Sequence, residues 1–249
     1  MSDLFWLTDA QMARLEPFFP KFHDKPRVDD RRVLRGINRN GLRWRGAPRE
    51  YGPHKTLYNR WKRWSDKGIF AAMMVGLAAD HGQTKTVMID ATDMKAHRSA
   101  TNLGNQKGGR GRLIGRTKGG MNTKRHAICD SQRRPLNLFV TAGQVSDDIG
   151  ARALLSSFPN VDWLLGDRGY DAGWFRDASK DKGIRACIPG RKPRKKPVKY
   201  DKRRYQRRNR IEIMFGRLKD WRRVATRYER CPKVFLSAIA LAAVVIYWL

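Results

Sequence analysis

The chain has 249 residues, of which 41% are apolar, so it can bury a sizeable core and is not a disordered tail. Its 53 lysines and arginines against 23 aspartates and glutamates give a formal net charge of +30. That excess favours a polyanionic partner, and nucleic acid comes before an anionic membrane or a ribosome-like assembly. The three cysteines and five histidines are scattered, which argues against a thiolate or imidazole metal site and for reduced thiols.

The two ends of the chain bear on its location. No secretory leader is visible among the first residues, which mix acidic and apolar side chains at helical spacing. The one long apolar run, residues 234–249, falls short of the roughly 18 to 20 residues that span a bilayer. We therefore expect a cytoplasmic protein without a membrane anchor, in which this run packs on the core as a helix.

Residues 1–82 carry the pattern of a small all-α domain, with Thr8 as a candidate cap for the first helix and Asp29 or Asp30 for the second. The predicted helices cover residues 9–19, 31–42, 54–68 and 69–80. The third is rich in basic and aromatic residues and follows a turn, which suggests a helix-turn-helix DNA reader whose contacts include Arg60, Trp61 and Arg63. The alternative is a plain helical bundle in which Trp61 and Trp64 belong to the core.

Residues 83–249 change to extended periodicity and predict a second domain of the α/β class. Three strands joined by short turns are followed by a helix, a strand, a helix and a strand, and then by a long basic helix. This order specifies a mixed sheet with helices on its faces, closed by the C-terminal packing helix.

Two basic loops accompany this domain. The Gly-rich segment 102–124 matches no nucleotide-binding motif and is either a DNA clamp or a solvated linker. The segment 189–204 leads into the long basic helix. Its Lys195 and Arg204, together with Arg207 in the helix, are candidate DNA contacts.

Three carboxylates stand apart from the surface acids. Asp90 and Asp167 each end an apolar strand, where an α/β sheet opens its binding crevice, and Glu212 lies among the apolar positions of the basic helix. Carboxylates placed together repel unless a cation lies between them. Oxygen ligands without histidine or cysteine point to Mg²⁺ or Mn²⁺.

The basic helix arranges its polar residues in a stripe. At about 100° per residue, Tyr205, Arg208, Glu212 and Lys219 fall within about 60° of one another. This predicts that Glu212 is pressed against the sheet as a metal ligand with phosphate contacts beside it. Taken alone, the same pattern also fits a surface network of ion pairs.

The spacing Tyr-x2-Arg-x3-Glu-x6-Lys resembles the C-terminal signature of the DDE transposases of bacterial insertion sequences. The blocks around Asp90 and Asp167 resemble that family's aspartate blocks, and the similarity over the whole chain points to insertion-sequence family five. The resemblance implies an RNase H-like fold and a catalytic triad of Asp90, Asp167 and Glu212 that holds two metal ions. It also implies that Tyr205, Arg208 and Lys219 position DNA.

The family would cut at the ends of its own element and join the freed 3′ ends to target DNA, working on duplex DNA and as a homodimer. The alternatives are a non-catalytic DNA binder or repressor, and a structure-selective nuclease. Among the other polar residues, we expect Asp93 on the opposite strand face, Asp171 and Asp147 near helix starts, and His97 in a structural, site or DNA-contact role.

Overall fold

The computed structural model describes residues 7–20, 29–38, 44–82, 84–102, 111–194 and 196–249. Within them the chain forms a mixed six-stranded sheet with helices on both faces, preceded by a helical region. The predicted α/β class is therefore confirmed. Part of the first basic loop, residues 103–110, lies outside the described residues.

The helical region follows the predicted order. Thr8 caps the first helix, as predicted, and it does so in a reciprocal capping box with Gln11. The second helix begins at Asp30. The helices are α1 (Asp9–Leu15), α2 (Asp30–Asn38), α3 (His54–Asp66) and α4 (Ile69–Ala79).

The six strands are β1 (Thr86–Lys95), β2 (Gly115–Thr117), β3 (Gly120–Asp130), β4 (Pro135–Ala142), β5 (Trp163–Leu165) and β6 (Arg185–Cys187). The antiparallel strand β3 lies between β4 and β1, and β1 continues into a parallel set with β5 and β6. This is the arrangement of the RNase H-like fold. The short β2 lies within the segment 102–124, which was predicted as a loop. The strand was missed because three residues give too little periodicity to recognise.

The remaining helices are α5 (Arg98–Thr101), α6 (Asp147–Leu155), α7 (Gly173–Asp181), α8 (Lys202–Tyr205), α9 (Asn209–Lys219), α10 (Arg222–Ala225) and α11 (Pro232–Ala243). Alternation along β1 sends Val87 and Ile89 to the core under α6 and α7, and Met88 to the core shared by α9, α11 and the helical region. The predicted single basic helix is wrong in one respect, because a 3-10 turn, Gln206–Arg208, separates α8 from α9.

The helical region and one face of the sheet share a hydrophobic core, the one that contains Met88. Helix α4 packs on α11 and on β4, and the apolar residues of both regions form one cluster. The apolar run near the C-terminus is thus buried as α11 and the π-helical turn Val244–Trp248. None of the helices in the described ranges is long and apolar enough to cross a membrane.

Buried His126 on β3 should make stability fall in mild acid. Its ring stacks on Phe139 with centroids 4.6 Å apart, and its Nε2 lies 2.9 Å from Thr141 Oγ1. Burial lowers the pKa of His126 to about 4, below the value near 6.5 of an unfolded histidine. The unfolded chain therefore takes up the proton first, and stability is lost as pH falls from 6.5 towards 4.

We expect this histidine to contribute about 2 kcal/mol to the loss. The measurement is urea unfolding from pH 7 to pH 4 for the wild type and His126→Gln, because the difference between the two isolates this side chain from other titrating groups. Parallel pH profiles for the two proteins would contradict the expectation.

Candidate active site

Asp90 ends the apolar part of β1 but not the strand, which continues to Lys95. Its side chain is only 14% exposed. One of its oxygens accepts from the Ala91 amide at 2.8 Å, and the other accepts from Arg208 Nη1 at 2.8 Å. Burial raises the pKa of Asp90 to about 6, the Arg208 guanidinium opposes that rise, and the charge of Asp167 adds to it. Positive charge is therefore favoured at this position.

Asp167 lies beside Asp90 because of the parallel strand register. Met88 of β1 pairs with Leu165 of β5, so each aspartate follows its paired residue by two positions. The Asp167 carboxylate accepts from the Gly169 amide at 2.8 Å and caps the 3-10 turn Arg168–Tyr170. The structure thus brings the two aspartates to the same end of the parallel strands.

Glu212 approaches the aspartates through Arg208. The Arg208 guanidinium contacts Asp90 with one nitrogen and Glu212 Oε1 with the other. The prediction that Glu212 is pressed against the sheet is wrong, since its side chain is 56% exposed. The apolar residues of α9 beside it, including Ile211 and Phe215, make the contact with the core instead.

The other two residues of the stripe lie along the same side of the helix. Lys219 Nζ donates to Thr92 Oγ1 on β1 at 3.1 Å. The Arg208 guanidinium carbon lies 5.9 Å from the centroid of the Tyr205 ring. The structure therefore brings Tyr205, Arg208 and Lys219 to the same margin of the sheet as Asp90, and their contacts with DNA stay predictions.

The sequence did not indicate that Asp147 faces this site. Asp147 is the first residue of α6, as expected, but its Oδ1 pairs with Lys124 Nζ at 2.8 Å. A Cβ placed on Gly169 would lie 2.8 Å from Asp167 Oδ1 and 3.1 Å from Asp147 Oδ2. Two carboxylates thus meet over Gly169, which leaves no room for a side chain there.

Tyr170 lies beneath these carboxylates. Its hydroxyl is buried and has no hydrogen-bond partner within the described part of the chain. Burial raises the pKa of Tyr170 well above its usual value, and Asp90, Asp147 and Asp167 raise it further. Three carboxylates thus act on one buried phenol, and together with burial they keep it in its neutral form.

The sequence suggested that Asp171 caps the next helix, but the structure shows that it does not. The residue before α7 is Ala172, which provides no side-chain cap. Asp171 is buried and accepts from Arg176 Nε and the Arg191 amide, each at 2.7 Å, and from Arg194 Nε at 3.1 Å. Burial alone would raise the pKa of Asp171, but these donors together hold it below its usual range.

This arrangement fixes the second basic loop beside the site. Arg191, held by Asp171 through its amide, donates its Nε to the carbonyl of Arg168 at 2.9 Å and a further nitrogen to the carbonyl of Gly169. The turn that follows Asp167 is therefore held by the Asp167 carboxylate and by the Arg191 side chain.

Asp171→Ala should destabilise the protein by about 2 kcal/mol, because it removes a buried carboxylate that accepts hydrogen bonds from Arg176, Arg191 and Arg194. Urea unfolding measures the change in free energy. Asp177→Ala, on the exposed side of α7, is the matched control and should change stability by less than about 0.5 kcal/mol. Equal effects of the two substitutions would contradict the role of Asp171.

Among the predicted DNA contacts, Trp61 requires correction. Its side chain is 2% exposed and packs on Phe70 with ring centroids 4.7 Å apart, so it is a core residue, as the bundle alternative had it. Arg60 pairs with Asp30 at 2.6 Å, whereas Arg63 is exposed. Residues 44–53, which include the 3-10 turns Trp44–Gly46 and Arg49–Tyr51, lie before α3 and by themselves exceed the three or four residues of a helix-turn-helix turn. That motif stays a prediction.

Three further predicted contacts belong to the second basic loop and the helices after it. Arg204 stacks on the Trp163 ring at 4.1 Å and pairs with Asp201, so its guanidinium is directed to the protein. Arg207 is exposed. Lys195 lies outside the described residues.

His97 has a structural role in this conformation. It caps α5 by accepting from the Ser99 amide at 3.2 Å, and its ring lies 4.8 Å from that of Tyr228. It lies two residues after Lys95, the last residue of β1, and is farther along the chain from Asp90 than Thr92 is.

A divalent metal fits the donor set of Asp90, Asp167 and Glu212, although their present arrangement does not form a complete site. In the described ranges, no three His, Cys, Asp or Glu side chains are grouped closely enough to hold a metal ion. Instead, Arg208 pairs with the carboxylate of Glu212 and with that of Asp90. All three donors are carboxylates, which suits a hard cation such as Mg²⁺ or Mn²⁺.

Two family models together account for most of the chain. Residues 81–247 match the model described as "Transposase DDE domain", and residues 7–74 match "Putative transposase of IS4/5 family". The chain therefore belongs to the DDE transposase family, whose members generally depend on divalent metal ions. The second description covers families four and five together, so family five stays a prediction.

Two curated proteins are similar to this chain, and the name of the first agrees with this assignment. A protein of Brucella ovis named "Putative transposase for insertion sequence element IS6501" is 36% identical over 129 residues, which is 51% of this chain and 98% of the relative. The uncharacterized protein y4sN of Sinorhizobium fredii is 33% identical over 110 residues, 42% of this chain and 87% of the relative.

Among solved structures, the piggyBac transposase synaptic complex with hairpin DNA shows a looser likeness. It aligns with a TM-score of 0.48 and 9% identity, over 78% of this chain and 50% of that one. This likeness is too loose to carry an argument.

Proposed function

We propose that this transposase binds the terminal repeats of its own insertion sequence, cleaves the DNA there and joins the 3′ ends to target DNA. Asp90, Asp167 and Glu212 are the proposed catalytic triad and metal ligands. The observation that carries the proposal is the Arg208 bridge, which joins a carboxylate of β1 to a carboxylate of α9 beside the strand-end Asp167.

The proposed cofactor is two Mg²⁺ or Mn²⁺ ions, which when bound would activate the attacking oxygen and stabilise the leaving oxygen at the scissile phosphate. The residues of the chain prepare this site. The rigid β1 and β5 fix the two aspartates, and the exposed Glu212 can turn towards them. A cation taken up there would replace Arg208 as the partner of at least one carboxylate.

An Arg208 released in this way could donate two parallel hydrogen bonds to a phosphate. Lys219, on the same side of α9, would add a second positive charge, and Tyr205 would support the guanidinium from the other side. These three residues are proposed to position the DNA strand.

Arg63 and Arg207, both exposed, are proposed as further DNA contacts. Two DNA ends must be held together for transposition, so we propose a homodimer assembled on DNA in the bacterial cytoplasm, at the nucleoid. We also propose the division into residues 1–82 for DNA binding and 83–249 for catalysis, although the two regions share a core.

A second candidate is a catalytically inactive DNA-binding relative or repressor. The observation that favours it is that Arg208 already provides an ion-pair partner for both Asp90 and Glu212. Tight DNA binding needs only the positive charge of the chain, so it does not distinguish the two candidates.

The test is a cleavage and joining assay on labelled duplexes that carry the element's own ends, with Mg²⁺, with Mn²⁺ and with a chelator. The proposal expects cut and joined products only with the metal ions. Salt-sensitive binding without cutting in any condition would favour the DNA-binding relative, and cutting without joining would indicate a nuclease.

A further inference from the structure

A second basic surface lies on α9, away from Glu212. A groove of about 750 Å³ opens between the β3–β4 turn and the helices α8 and α9. We call it the arginine groove after four of its lining residues, Arg133, Arg203, Arg207 and Arg210. The described residues that line it include no acidic side chain.

The arginine groove and the candidate active site lie on opposite flanks of one helix. Arg210 precedes Glu212 by two residues, which places the two about 200° apart around α9. The buried stripe that includes Met214 and Leu218 separates them on the side of the core. An α-helix is about 10 Å across, so a phosphate in the groove cannot be the one held at Asp90 and Glu212.

The β3–β4 turn that forms one wall is stabilised by hydrogen bonds to the buried carboxylate of Asp130. Asp130, 2% exposed, accepts from the amides of Gln132 and Arg134 at 2.8 and 2.9 Å and from Arg134 Nε at 2.7 Å. Its negative charge is thus neutralised within the turn. Arg133 has a φ of 70°, a left-handed conformation that non-glycine residues seldom adopt, and its side chain is exposed.

The opposite wall, formed by α8 and α9, is hydrogen-bonded to this turn. Arg210 Nη1 donates to the carbonyl of Ser131 at 2.5 Å, which joins α9 to the turn. The spacing between the walls is therefore set before any ligand binds. Guanidinium groups on two fixed walls suit the oxygens of a phosphate backbone, which they contact in a planar, bidentate manner.

We infer that the arginine groove holds backbone phosphates of a DNA duplex segment other than the one being cut. This inference rests on the proposed function, because it takes DNA as the substrate. The segment belongs either to the DNA that flanks the cut end or to the target, and both present the same phosphates. The net charge of +30 exceeds what one small site would need, which agrees with more than one DNA-binding surface.

The test uses the full chain with Arg133→Ala and Arg207→Ala together. The matched control, Lys180→Ala with Lys182→Ala, removes the same charge from exposed positions at the end of α7. Affinity for a 30-base-pair duplex of unrelated sequence is measured at several salt concentrations, without divalent ions. Thermal unfolding establishes that both variants are folded.

We expect the arginine variant to bind the duplex about tenfold more weakly than the wild type. The slope of log affinity against log salt should become less negative by about 2. The control should stay within about twofold of the wild type. Equal affinities and slopes for the two variants would overturn the inference. Because this measurement needs no cutting, a wild type that binds but never cleaves would refute the proposed function alone.

A second arm separates the two sources of DNA. It measures the cleavage of uncut end duplexes and, separately, the joining of pre-cut ends to a target duplex. Loss of joining by the arginine variant with normal end cleavage assigns the groove to target DNA. Loss of end cleavage itself assigns it to the flanking DNA.

Discussion

Asp90→Asn is expected to abolish DNA cleavage and to make the free protein more stable. The carboxylate is largely buried and its pKa is raised to about 6, so holding it ionised at pH 7 opposes folding. Asparagine keeps the shape and removes that charge. We expect a gain of about 1–2 kcal/mol in unfolding free energy and a fall of about 10³-fold or more in cleavage rate.

The measurements are urea unfolding and single-turnover cleavage of an end duplex. Asp93→Asn is the matched control, because Asp93 lies on the opposite face of β1 and is exposed. It should alter neither quantity appreciably. A cleaving Asp90→Asn protein would show that this carboxylate is not part of the reaction, whereas loss of stability with loss of cleavage would indicate a structural role.

Glu212→Gln should abolish cleavage by a similar factor and leave stability and DNA binding almost unchanged. Its side chain is 56% exposed and its Arg208 pair is a partly solvated one, so we expect less than about 0.5 kcal/mol in stability. The charge matters only when a cation must be held. Binding is measured with a labelled end duplex in the absence of divalent ions.

Asp220→Asn, just beyond the C-terminal end of α9, removes the same charge from an exposed position and serves as the control. It should cleave at the wild-type rate. If Glu212→Gln lost binding and cleavage together, Glu212 would be acting through the DNA contacts of Arg208 and not as a ligand.

The parts of the fold that could be predicted are those with local periodicity. The apolar runs that end at Asp90 and Asp167 indicated strands, and the connection lengths indicated which of them pair in parallel. Position within the sheet then brought the two aspartates together, as expected. The cap at Thr8 could be predicted for the same reason, since the backbone amide that it accepts from is only three residues away.

The contacts that were missed depend on residues far apart in the chain. A pattern on α9 placed Glu212 near the sheet but could not show that Arg208 would reach Asp90 first. The donors that contact the buried Asp171 come from α7 and from the loop at residues 191–194, and nothing in local spacing joins them. Trp61 had two interpretations, and only its packing on Phe70 distinguishes them.

The most direct test of the proposed metal-dependent triad is the ratio of cleavage rates in Mn²⁺ and Mg²⁺ for Asp167→Cys against the wild type. A thiolate ligand binds Mg²⁺ poorly and tolerates softer ions better. If Asp167 is a ligand, the variant should be almost inactive in Mg²⁺ and recover in Mn²⁺, so that the ratio rises about 100-fold or more. An unchanged ratio, with equal rates or equal losses in the two ions, would contradict the assignment of Asp167 to the metal.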